Sequence, residues 1–194
     1  MIYNLLKFIH ILGAILMAAG LVAVWMADLR SRQLRELLPF AEAVRNIAVC
    51  YDSLVVPRAP LLLASGAWMI TEFYGGWAFL DMPWLAGMVF LFLAEFIEGN
   101  TITRLYFLRL RHMTQLALAE GRLTRELEHE RGKLIPSFTH FLDLPALTLI
   151  IALGALKPDS WTLFITGSLL AVVIASTLTV LIPRLYPWSA SGAR

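Results

Sequence analysis

Ionisable side chains interrupt several apolar stretches of this sequence, and their chemistry suits cofactor, metal or proton binding. His10 lies in the first stretch, and Glu95 and Glu98 lie in the third. His140 and Asp143 stand three positions apart in the fourth. Imidazole is a common axial ligand of haem iron, and carboxyl groups in an apolar medium normally face a partner, a cavity or a cofactor. These residues are therefore the candidates for function.

The stretches that carry these residues are long enough to cross a membrane. A bilayer core of about 30 Å needs roughly 20 helical residues, and the last stretch has 22 residues without a charge. The mean hydropathy is +0.71 and only 15% of residues are charged. We therefore predict an all-α polytopic membrane protein, a single helical domain over residues 1–194. Its five transmembrane helices are predicted at Ile2–Ala27, Leu54–Glu72, Trp84–Leu105, Pro136–Leu156 and Trp161–Ile182.

The basic residues predict the orientation of these helices. Lys and Arg accumulate on the cytoplasmic side of short loops. Fourteen of the sixteen basic residues, Arg184 and Arg194 included, fall on one side of the predicted membrane, and only Lys7 and Lys157 fall opposite. This predicts an N-terminus outside and a C-terminus inside, in the inner membrane of a bacterium.

Several function classes are excluded or disfavoured by composition and motifs. A net charge of +2 gives no sign of a nucleic-acid partner. Cys50 is the only cysteine, so no intrachain disulfide forms. The sequence has no Walker loop, G-x-G-x-x-G, G-x-S-x-G or H-E-x-x-H motif. The remaining choice is between a membrane oxidoreductase and a protein without enzymatic activity.

His10 lies in the outer half of helix 1 with small residues on the same helical face. Gly13 and Ala14 follow it, and Lys7 stands about one turn toward the surface. Small neighbours would leave space for a flat ligand such as a porphyrin, and Lys7 would meet a propionate. The alternative is a neutral histidine that hydrogen-bonds to a neighbouring helix, with the small residues serving helix packing.

Glu95 and Glu98 share one broad face of helix 3 because they are three residues apart. One interpretation makes them a proton route, and the other makes them ion-pair partners of Arg58 or Arg104. A di-metal carboxylate site would want Glu-x-x-His partners on other helices, which this chain lacks. His140 is expected at the inner membrane interface, at a different depth from His10.

Four segments together resemble a known group of membrane proteins in order and spacing. They are LLKFIHILGAILMAAGLVAV, CYDSLVVPRAPLLLASGAWMI, WLAGMVFLFL and HFLDLPALTLIIALGALKP. They resemble the HemJ-type protoporphyrinogen oxidases and, more closely, an uncharacterised family of bacterial integral-membrane proteins. The resemblance implies a five-helix fold related to HemJ and the copper-resistance CopD proteins, with haem b held by the helix 1 histidine, here His10. It matches a functional lysine of HemJ to Met88, which cannot do acid–base work but whose thioether is a candidate second axial ligand.

Two functional hypotheses follow. In the first, the protein is a haem b-binding redox protein that passes electrons to or from quinone or porphyrin. His10 and Met88 are then the metal ligands, Lys7, Gly13 and Ala14 contact the cofactor, and Glu95 or Glu98 carries protons. In the second, the protein is a non-enzymatic accessory subunit or a small transporter, as a homo-oligomer or with a membrane partner subunit.

Overall fold

The structure is a computed structural model that describes residues 1–186. Arg194, which the orientation prediction counts, lies outside the described residues. Within residues 1–186, eight α-helices follow one another: α1 (Ile2–Gln33), α2 (Leu37–Cys50), α3 (Arg58–Phe73), α4 (Pro83–Glu98), α5 (Arg104–Glu120), α6 (Arg125–Arg131), α7 (Leu134–Leu156) and α8 (Thr162–Leu185). A 3₁₀ segment, Gly76–Asp81, connects α3 to α4.

Two π-helical segments join consecutive α-helices into longer continuous ones. Tyr51–Val55 links α2 to α3, and Gly99–Thr103 links α4 to α5. With these joints, five helices of the described chain are long and apolar enough to cross a membrane. The prediction of an all-α membrane protein with five transmembrane helices is confirmed, while its orientation stays a prediction.

The second of these helices is longer than predicted. The chain is helical from Leu37 through Phe73, whereas the sequence predicts a start at Leu54. Pro57 and Pro60 suggest a helix beginning because they lack backbone N–H groups. The wider π-helical turn just before them lets the helix continue, with Val56 N–H donating to the Tyr51 carbonyl at 3.0 Å.

The helices pack around α1 and α7, which also contact each other, and α2 packs on α5. α1 contacts α2 and α3, and α7 contacts α4 and α8. Gly20 allows the closest approach of α1 to the first π-helical segment, because a Cβ there would lie 2.7 Å from Leu54 Cβ. Phe40, Leu110 and Leu127 form a buried core between α2, α5 and α6. The ends of the long helices are therefore fixed against one another.

Candidate functional site

His10 hydrogen-bonds to Ser65 on α3. Its Nδ1 lies 2.8 Å from the Ser65 hydroxyl oxygen, and that hydroxyl donates to the Leu61 carbonyl at 2.7 Å. Since the single serine proton is used by Leu61, we assign the proton of the pair to His10 Nδ1. The Nε2 atom then carries a lone pair that is available to a ligand.

The sequence predicts free space beside His10, next to the small residues on the same face of α1. The structure shows that side chains of α3 fill part of that space. A Cβ on Gly13 would lie 2.7 Å from Leu61 Cδ2, so leucine side chains of α3 fill this position. The predicted space beside Gly13 is absent, and this glycine allows α1 and α3 to pack closely. Ala14 is half-buried and Lys7 is exposed. Gly66 faces the imidazole directly, because a Cβ there would lie 3.3 Å from His10 Cε1.

Met88 packs against a different helix from His10. Its Sδ and Cε atoms each lie 3.1 Å from the position that a Cβ on Gly154 of α7 would occupy. His10, by contrast, contacts Ser65 and Gly66 of α3. The two residues thus have separate neighbours, and their pairing as axial ligands stays a prediction.

Three carboxyl groups come together where α4 meets α7. One carboxyl oxygen each of Glu95, Glu98 and Asp143 lies within 4.8 Å of the others; we call this group the carboxylate cluster. Thr103 donates a hydrogen bond of 2.6 Å to Glu98 Oε1 and lies 3.1 Å from the Thr139 hydroxyl. The cluster therefore includes Asp143 beside the two glutamates, and the sequence did not predict this contact.

The predicted ion pairs of the two glutamates are wrong. Among the described residues, neither Glu95 nor Glu98 lies within 4.0 Å of the guanidinium group of Arg58 or Arg104. Arg58 instead donates to the Ser53 carbonyl. The glutamates face Asp143 because α7 packs on α4, a pairing that depends on the tertiary fold.

A cavity of about 220 Å³ adjoins the carboxylate cluster. Its polar lining comes from Tyr51, Glu95, Asn100 and Asp143, and its apolar lining includes Phe92, Phe96, Val55 and Met17. Both π-helical segments border it through Tyr51, Val55 and Gly99. π-helical turns are frequent at functional sites. This cavity thus lies directly beside buried ionisable groups.

A second buried polar group lies at the end of α1. Asp28 is fully buried and accepts a hydrogen bond of 2.7 Å from Arg32 Nε. Arg131 of α6 donates to the Ser31 hydroxyl at 3.1 Å and lies 4.0 Å from Asp28 Oδ1. Burial lowers the pKa of Arg131 to about 10, so this side chain remains charged at neutral pH. The group ties α6 to the membrane-crossing helix α1.

His140 lies between this ion-paired group and the carboxylate cluster. It is 1% exposed and therefore lies inside the helix bundle, while its position at the membrane interface stays a prediction. Its Nε2 is 3.8 Å from Asp28 Oδ2, and its Nδ1 is 3.6 Å from Asp143 Oδ2. These separations exceed hydrogen-bond length, and neither ring nitrogen has another partner in the described chain. His140 therefore contacts two buried acids without a hydrogen bond to either.

Sequence reasoning missed Ser65, Asp28 and Tyr51. A serine within an apolar helix carries no signal of its own, and the partner of Ser65 is 55 residues away. Asp28 sits at the end of an apolar stretch, where a solvated charge is ordinary. Only its spacing of four to Arg32 hints at the ion pair.

Comparisons with known proteins identify a family without an assigned activity. Residues 4–158 match the family described as predicted integral membrane protein (DUF2269). No curated protein and no solved structure matches the chain. The matched segment includes the whole carboxylate cluster and His10, while the resemblance to HemJ and CopD proteins stays a hypothesis. The chain belongs to the DUF2269 family of predicted integral membrane proteins.

Proposed function

We propose that this protein is a haem b-binding redox protein of the bacterial inner membrane, with His10 as an axial ligand. The observation that supports this is the contact between His10 Nδ1 and the Ser65 hydroxyl at 2.8 Å. Histidines that ligate a metal almost always donate their other ring N–H to a fixed acceptor, which sets the tautomer and orients the ring. Ser65 is such an acceptor, since its own proton is held by Leu61.

The residues around His10 fit this role in part. Lys7 is exposed one turn outward and would meet a propionate, and half-buried Ala14 adds no bulk. The position beside Gly13 is filled by Leu61, so it offers no room to the cofactor. Bound haem would supply one-electron oxidation and reduction. We propose quinone or porphyrin as the electron partner, and Met88 as the second axial ligand.

An absorbance spectrum of the detergent-purified protein tests the proposal. Protein made with ample haem supply should show a Soret band, and His10→Ala should abolish or strongly shift that band. His112→Ala and His129→Ala serve as controls because both side chains are exposed, and they should leave the spectrum unchanged. A colourless wild-type protein would contradict the redox proposal.

A second candidate function, that of a small transporter, is favoured by the cavity beside the carboxylate cluster. Transporter binding sites are formed where membrane helices depart from regular α-helical geometry. Two long helices do so here, at Tyr51–Val55 and Gly99–Thr103, and both border the cavity. A colourless wild-type protein that still binds a ligand at the cluster would favour this function.

A further inference from the structure

The carboxylate cluster has unusual hydrogen bonding for a buried acidic site. Glu98 Oε2 and Asp143 Oδ2 are both buried and have no hydrogen-bond partner in the described residues. The Asp143 side chain is more than nine-tenths buried, at 7% residue exposure. An unpartnered buried carboxyl oxygen costs free energy unless a donor, a water molecule or a cation satisfies it. Two such oxygens in one group are typical of a site that binds a donor or a cation.

His140 provides an independent observation on the same site. His140 is not one of the three acidic residues of the cluster, and its side chain is only 1% exposed. Its Nδ1 has no hydrogen-bond partner in the described residues and is directed toward Asp143 Oδ2 at 3.6 Å. A gap of this length is too long for a hydrogen bond. The imidazole is thus a further buried polar group that is directed toward the cluster and makes no hydrogen bond.

Charge balance at the cluster favours a cation. In the described chain, no Lys or Arg nitrogen lies within 4.0 Å of Glu95, Glu98 or Asp143. Three neighbouring carboxylates repel one another, and the low dielectric of a membrane protein strengthens that repulsion. A divalent cation placed between the three carboxylates would neutralise two of their charges and relieve this repulsion.

We propose that Glu95, Glu98 and Asp143 bind one divalent metal cation. Three carboxylate oxygens form a hard donor set, which suits Mg²⁺, Ca²⁺ or Mn²⁺ better than copper or another thiophilic ion. Thr103 positions the site by holding Glu98 Oε1 at 2.6 Å and leaving Oε2 for the metal. Asn100 and the adjoining cavity provide room for water ligands, which these cations commonly retain. The site is separate from His10 and does not require haem.

Mn²⁺ is the probe that tests the proposal, because its free aqueous ion has a sharp electron paramagnetic resonance signal. Chelator-treated, detergent-solubilised full-length protein is titrated with Mn²⁺ alone. The expected result is loss of the free signal up to one Mn²⁺ per chain. Glu98→Gln and Asp143→Asn should each weaken binding by about tenfold or more, since even supporting residues of metal sites contribute that much. Glu42→Gln and Glu120→Gln remove exposed acids elsewhere and should leave binding unchanged.

A thermal unfolding measurement separates lost binding from lost folding. Mn²⁺ should raise the unfolding temperature of the wild type and of both control variants, because a ligand that binds the folded state stabilises it. It should not do so for Glu98→Gln. If the carboxylate variants fail to fold, Thr103→Val keeps every ligand and should still weaken binding measurably. Failure of the wild type to bind Mn²⁺, or equal binding by wild type, Glu98→Gln and Asp143→Asn, overturns the proposal. Because His10→Ala should bind Mn²⁺ normally, this result and that of the haem test are independent.

Discussion

The hydroxyl of Tyr51 donates a hydrogen bond of 3.0 Å to the carbonyl oxygen of Gly99. These residues begin the two π-helical segments, so one hydrogen bond joins the two irregular turns of different membrane-crossing helices. The contact is close, because a Cβ on Gly99 would lie 3.3 Å from the Tyr51 hydroxyl. It fixes the wall of the cavity next to the carboxylate cluster.

Loss of this hydrogen bond should destabilise the protein. Tyr51→Phe should lower the free energy of unfolding by about 1 kcal/mol, since the Gly99 carbonyl loses a buried donor. Tyr106→Phe is a matched control, because the Tyr106 hydroxyl is buried without a hydrogen-bond partner in the described chain. Its removal should be neutral or stabilising. Unfolding in mixed detergent–SDS micelles measures both, and equal effects would contradict the assignment.

The buried ion-paired group at the end of α1 should contribute much more to the free energy of unfolding than exposed ion pairs do. Asp28→Asn removes the counter-charge that Arg32 contacts at 2.7 Å in a buried position, which should cost about 3–5 kcal/mol. Glu42→Gln breaks the exposed pair with Arg45 and should change stability by less than about 0.5 kcal/mol. The same unfolding titration measures both variants. A small effect of Asp28→Asn would show that water reaches the group.

Ser65 should tune the haem site if His10 is a ligand. Ser65→Ala removes the acceptor of the His10 Nδ1 proton, and haem affinity should fall by about 10–100-fold. Ser53→Ala is the control, because its hydroxyl makes only a local bond to the Val49 carbonyl. Haem titration followed at the Soret band measures the difference. If Ser65→Ala binds haem with unchanged affinity, the hydrogen bond between Ser65 and His10 serves only the packing of α1 against α3.

Met88→Leu tests the second axial ligand. If Met88 ligates haem, the substitution removes the thioether and should give a high-spin spectrum. Gly154 allows the close approach of the Met88 terminus, because a Cβ at this position would lie 3.1 Å from Met88 Sδ. An unchanged low-spin spectrum would assign the sixth position to another residue.

The orientation prediction is tested by labelling single cysteines in intact cells. In a Cys50→Ser background, Ala78→Cys in the α3–α4 connection should react with a membrane-impermeant maleimide. Glu126→Cys in α6 should react only after the cells are permeabilised. Both positions are exposed, so reactivity reports on the side of the membrane. The reverse pattern would place the N-terminus inside.

The sequence predicted the membrane helices because their signal is local. An uninterrupted apolar stretch such as that within Thr162–Leu185 is recognisable without knowledge of its neighbours. The continuity of Leu37–Phe73 was missed because Pro57 is a recognisable signal for the start of a helix. The π-helical turn that precedes it has no comparable signal in the sequence. Local rules for helix ends therefore failed where the backbone geometry changed.

The candidate site was predicted less completely because its contacts join distant parts of the chain. Glu95 and Glu98 were found, but their partner Asp143 depends on the packing of α4 on α7. The small size of Gly13 was recognised, yet only the structure shows that Leu61 fills the space beside it. The burial of His140 was likewise not predicted, because it depends on packing against residues far away in the sequence, such as Asp28 of the first helix.

The contact between Ser31 and Arg131 bears on the order in which the protein assembles during translation. These residues are 100 positions apart, and Ser31 belongs to the first helix to be synthesised. Arg32 is available to Asp28 at once, but Arg131 can complete this buried group only after α6 has been made. A nascent or truncated chain that stops before residue 131 therefore lacks the contact of Arg131 with Ser31, and the buried group at the end of α1 stays incomplete until α6 is present.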